Sequence, residues 1–143
     1  MSRVFKYLIT RVFFMVQTED IRKQVAILDR YFISRQTIHT FAGFSPALYR
    51  QNLDAMLHDL QEAGLSDASF VAVTADDGPL THVDGAFLNY HLVIYSGGQI
   101  FDPLYGGKEP LSRDTYVNRV FPGENSVRLW QQTAPGKYQQ ELH

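Results

Sequence analysis

The chain has no cysteine in its 143 residues. That excludes disulfides, cysteine-ligated zinc and a thiol nucleophile. It leaves the compartment open, since a cysteine-free chain suits reducing and oxidising surroundings alike. Excess charge is also lacking: 13 Lys and Arg against 15 Asp and Glu give a net −2, which argues against a general nucleic-acid binder. No apolar run approaches the ~20 residues of a membrane span. Arg3, Lys6 and Arg11 interrupt the N-terminus too often for a secretory signal, and no small-residue cleavage site follows. There is no internal repeat and no linker that would divide two domains. Gly97-Gly98 and Gly106-Gly107 lack the strand–turn–helix setting of a phosphate loop. One domain over 1–143, with no cofactor, is the expectation; 45% hydrophobic residues supply a real core.

What is present begins with Phe5, Leu8, Ile9, Val12, Phe13 and Val16 at helical spacing. A basic amphipathic helix of this kind packs on a core or lies on a membrane surface, and a strand is the alternative because β-branched and aromatic residues dominate. Residues 19–33 read as a helix, with Thr18 as cap, Glu19 and Asp20 in the first turn, and Ile21, Val25, Leu28 and Phe32 in one stripe. Residues 34–44 read as loop. Ser45 is a good N-cap and Pro46 a favoured first helical residue, so a helix is expected over 46–63. Tyr49, Leu53, Met56, Leu57, Leu60 and Ala63 line its apolar face, and Gly64-Leu65 stops it. Ser69–Thr74 reads as a buried strand, 75–85 as a polar loop, Tyr116–Phe121 as a short helix or strand, and Ser126–Gln131 as the last strand. The tail from Gln132 is expected to fray. Helices first and an antiparallel hairpin sheet after make the fold class α+β, with three or four strands.

The most informative stretch is residues 86–105. Gly97-Gly98 between apolar and aromatic runs signals a tight hairpin, because two-residue turns need positive φ. Ser96 then faces Gln99, Val93 faces Asp102 and His91 faces Leu104. Alternation puts His91, Val93, Tyr95, Ile100, Asp102 and Leu104 on one face. Tyr90, Leu92, Ile94 and Phe101 take the other, a candidate core face. His91 and Asp102 become diagonal neighbours, with Cβ atoms roughly 7 Å apart. A histidine oriented by an aspartate is two-thirds of a nucleophilic triad. Against this stands the plain reading, a half-exposed hairpin ended by Asp102-Pro103. His39, His58 and His82 show no metal-ligand spacing with a carboxylate, so no metal is expected. His58 faces away from its helix's apolar stripe, and Trp130 reads as core.

A helix start, then His91-Leu-Val-Ile-Tyr-Ser-Gly-Gly-Gln-Ile-Phe-Asp102-Pro103, resembles papain-like and transglutaminase-like cysteine hydrolases. The likeness is closest to the small papain-fold domains of bacterial toxins and effectors, and covers roughly residues 40–121. It implies a papain-like core and a catalytic set of Ser45, His91 and Asp102. His91 would be the general acid/base and Asp102 its orienter. The implied activities are peptide cleavage, glutamine deamidation and acyl transfer on protein amides. Where the family has cysteine, this chain has Ser45. Ser45 is a replaced cysteine, a working serine nucleophile or only an N-cap; Ala42 and Ser34 are further candidates for the replaced position. Gln36 and His39 are candidates for the oxyanion donor. The resemblance implies a hydrolase-type domain with little activity in this form, a protein or peptide substrate, and a cognate inhibitor or immunity protein. It implies cytoplasmic location or delivery within an exported effector. A non-catalytic interaction module on the same fold, and a peripheral membrane protein using 3–16, are the alternatives.

Overall fold

In the computed structural model, the structure describes residues 20–34 and 46–143. The N-terminal segment 3–16, Gln36, His39, Ala42 and Ser45 lie outside them. Among the described residues, helix α1 spans 20–31 and α2 spans Pro46–Glu62. Strand β1 (Ser69–Ala75) is followed by two short strands, β2 (Leu80–Thr81) and β3 (Phe87–Leu88), which pair with each other. Then come β4 (His91–Ser96), β5 (Gln99–Phe101), β6 (Leu111–Ser112), helix α3 (Arg113–Val120), β7 (Val127–Ala134) and β8 (Lys137–Leu142). Six strands form one sheet in the order β6-β5-β4-β1-β7-β8, and every pairing is antiparallel. The fold class is α+β.

The sheet is covered on both faces, so each face of the hairpin is a core face. Val71, Val73, Val93, Ile100 and Leu129 pack with Tyr116, Val120 and Phe121 on one side. Phe70, Ile94 and Phe101 pack with Leu53, Met56, Leu60, Ile27 and Leu28 on the other. Helix α2 stops as its sequence indicates. Gly64 has φ +104°, and the Leu65 N–H donates to the Leu60 carbonyl at 3.0 Å, closing the C-terminal turn. Helix α1 docks on α2 through Arg30 and Tyr31, both on the Asp59 carboxylate.

Two expectations are corrected in α1 and at the tail. Helix α1 buries Ile27 and Leu28, while Ile21 is 55% exposed; the face toward α2 is set by the docking of Tyr31 and not by the whole apolar stripe. The tail does not fray. A turn at Gly136, φ +75°, folds it back as β8 along β7, because an edge strand can be held by ladder hydrogen bonds without an apolar sequence of its own. The loop read over 75–85 also contains β2, with Leu80 fully buried.

The Gly97-Gly98 turn is as the sequence demands. Both glycines have positive φ, +55° and +79°, the requirement of a two-residue hairpin turn. Ser96 pairs with Gln99, Tyr95 with Ile100 and Ile94 with Phe101. Asp102 follows β5 directly and His91 opens β4, so both stand at the same end of the sheet.

Candidate functional site: an aspartate shared by two histidines

At that end of the sheet, Asp102 is only 2% exposed and His91 likewise. His91 is held by β4 opposite Val73 of β1. Asp102 is fixed by its own turn: Oδ1 accepts the Leu104 N–H at 2.8 Å, and the Tyr105 N–H donates to the Asp102 carbonyl at 3.1 Å. Proline at 103 suits this turn, since it presets φ and has no N–H to satisfy. The next carbonyl, that of Pro103, accepts the Ile33 N–H at 2.8 Å and ties the turn to the segment after α1.

The sequence brings His91 and Asp102 together correctly, with Nε2 of His91 3.0 Å from Oδ2. It misses a second histidine. His82, 1% exposed, places its Nε2 3.0 Å from the same Oδ2. Tyr116 of α3 donates its hydroxyl to that oxygen at 2.8 Å. His82 and Tyr116 make aligned hydrogen bonds, whereas Nε2 of His91 lies off the line a hydrogen bond needs and has no aligned partner. The His91 contact is thus one of proximity and charge.

His82 is carried by a loop clamped at three points. Its N–H donates to the Ala86 carbonyl at 2.9 Å, the Gly85 N–H returns to the His82 carbonyl at 2.8 Å, and the Val83 N–H donates to the Val120 carbonyl at the end of α3 at 2.8 Å. Its Nδ1 stands 3.0 Å from Oδ1 of Asp84 and 3.2 Å from the Asp84 N–H. The carboxylate wins that competition, because a ring between two acids donates from both nitrogens. The sole sequence hint was Asp84 two residues on; a buried ring in a polar loop has no periodic signature. His58, by contrast, is solvated as expected, its side chain 70% exposed.

The electrostatics follow from burial against pairing. Burial alone would lower the His82 pKa, but Asp102 and Asp84 outweigh it and raise it from 6.5 to about 9. Burial alone would raise the Asp102 carboxyl, yet the imidazoles of His91 and His82 hold it well below the usual range. Tyr49 and Tyr116 are pushed well above the ordinary phenol value, first by burial and then by the Asp102 charge. The aromatic wall is completed by Phe121, whose ring meets His82 edge-on at 5.6 Å and Tyr116 at 5.8 Å between centroids.

His91 also lines a cleft of about 330 Å³, together with Pro46, Tyr49, Arg50, Phe87 and Tyr90. Phe87 is 72% and Tyr90 59% exposed. Tyr90 therefore belongs to the cleft rim and not to the core face, because the chain bends between β3 and β4 and breaks the strand alternation. The α2 side chain against the imidazole is Tyr49, its ring 5.6 Å from that of His91; its hydroxyl donates to the Leu92 carbonyl. Ser45 lies outside the described residues, although Pro46, which follows it, lines the cleft. Ser34, read as a further candidate, is half-buried after α1.

A ligand set for a metal ion is also present in outline: one ligand atom each from His82, His91 and Asp102 lie within 4.8 Å of one another. Oδ2 also accepts from the Tyr116 hydroxyl and meets Nε2 of His82, while Nε2 of His91 has no aligned partner. Chemically, His91 is positioned to take or give a proton at the cleft. Its other ring nitrogen, Nδ1, is the one free of the carboxylate. Among the described residues no helix is long and apolar enough to cross a membrane. No protein-family model matches the chain, and no curated protein matches it.

Proposed function

We propose that this chain is a thiol-hydrolase-type domain of papain-like or transglutaminase-like layout that keeps the basic dyad and lacks the nucleophile. It binds a protein segment in the cleft and does not cleave it. The reading rests on one observation above all: His91 lines a cleft beside the first turn of α2 while its Nε2 stands 3.0 Å from buried Asp102. That is the placement a thiol at the start of α2 would need in order to be held as thiolate. Tyr49 sits against the imidazole in its place. A buried phenol with a raised pKa, its hydroxyl already donating to the Leu92 carbonyl, is a poor nucleophile. The papain-like toxin and effector domains supply the class of partner: a protein substrate held without turnover, or an inhibitor protein seated on the cleft.

The test restores the missing group. Tyr49→Cys and Ser45→Cys are prepared separately, each with and without His91→Ala, and alkylated across pH. One of the two thiols is expected to titrate at least about one unit below the ordinary 8.5, and His91→Ala should return it. Two thiols that both titrate near 8.5, indifferent to His91, would remove the hydrolase-type reading.

A further inference from the structure

The cleft has a cation on its wall that the array does not use. Arg50 of α2 lays its guanidinium 4.3 Å from the centroid of the buried Phe70 ring. It spends only Nε on Asp54, one turn on, at 3.1 Å. Among the described residues neither Nη meets an acceptor. The Phe70 ring and Asp54 both hold the guanidinium at the cleft wall. Both Nη groups are left as donors, and a guanidinium fork can take a carboxylate by two parallel bonds. Beside it the cleft offers Phe87 and Tyr90, two large rings left in water. A cation next to exposed aromatic surface asks for a ligand that carries an anion next to an apolar group.

We propose that the cleft binds the C-terminal end of a protein chain whose last residue is apolar. The carboxylate would sit on Arg50 and the side chain against Phe87 and Tyr90. A chain end meets this demand with a single residue, whereas an internal Asp or Glu supplies the anion and needs a neighbour for the apolar part. A terminal apolar residue brings carboxylate and side chain together in one unit. The inference deepens the cleft-binding reading and rests on it.

The experiment is calorimetric titration of the full chain with three N-acetylated peptides. One has three alanines and a terminal phenylalanine as the free acid. The second is the same peptide as the C-terminal amide. The third is an amidated peptide with an internal phenylalanine–glutamate pair. The free acid should bind at least about tenfold more tightly than either other peptide, the worth of one charge-assisted pair. Arg50→Gln should abolish that preference. Phe87→Ser, which removes an exposed ring that takes no part in the Arg50–Phe70 contact, should weaken the free acid and leave the fold unchanged by circular dichroism. Equal binding of acid and amide, or no binding of the acid, overturns the proposal. So does a preference that survives Arg50→Gln. Equal binding of the internal glutamate peptide overturns the terminal source. These outcomes are independent of the thiol titration, which tests the dyad alone.

Discussion

The imidazole of His91 divides two regions of opposite character. Behind it, Asp102 is closed off and densely contacted: His82, a tyrosine hydroxyl and a backbone N–H bond to one carboxylate, and Nε2 of His91 stands beside it. In front of it, the cleft is open and unsatisfied, with Phe87 and Tyr90 in solvent and the Arg50 fork half used. Buried networks gain rigidity when every member is paired, whereas recognition needs groups left unpaired until a partner arrives. Substitutions behind the ring should therefore destabilise the fold, and substitutions in front should leave its stability nearly unchanged.

The largest effect is expected from Asp102→Ala. Removing one partner of a buried charged array leaves the others stranded, at a cost of about 3–5 kcal/mol, read as a shift of the urea midpoint at pH 7. A loss under about 1 kcal/mol would mean that the array is not what holds this end of the sheet.

Next comes pH. His82 titrates near 6.5 unfolded and at about 9 folded, so its contribution is complete below pH 6.5 and is lost as pH rises through 9. The loss should be roughly 3 kcal/mol at 1.36 kcal/mol per unit. His82→Gln should flatten the urea midpoint between pH 6 and 9.5. The depressed Asp102 carboxyl describes the same attraction from the acid's side: present above the ordinary carboxylate value, lost as pH falls through the lower folded one. The two are not added. A wild-type midpoint constant over pH 6–9.5 would dissolve the idea of a charged His82.

Tyr116→Phe deletes one hydrogen bond to a charged acceptor and should cost about 1.5–3 kcal/mol. At the small end, Phe87→Ser and Tyr90→Ser should each change stability by no more than about 0.5 kcal/mol. A thermal scan that shows either to be strongly destabilising would move the rim into the core and erase the contrast.

How much of this could be read from residues alone depends on how local each feature is. The His91–Asp102 pair was legible because a two-residue turn dictates register, and register dictates face. The course of α2 was legible because Pro46 and Gly64 punctuate it. His82 was not, because it arrives on a loop whose position depends on a hydrogen bond from Val83 to the far end of α3. Tyr49 was visible as part of an apolar stripe, but the sequence had no means of saying that the stripe's first member would lie tilted against an imidazole. Strand β8 was hidden for a different reason: Lys137, Gln139, Gln140 and Glu141 are polar, and what orders them is the neighbouring β7.

The two-glycine turn makes the site a matter of odd and even. A one-residue slip of β5 against β4 would hand the place of the acid to its neighbour and swing the carboxylate through the ribbon toward α2. A residue added inside the turn does not require that slip, since three-residue loops close the same strand pair. A lineage carrying this domain is free to vary the turn as long as Ser96 keeps facing Gln99.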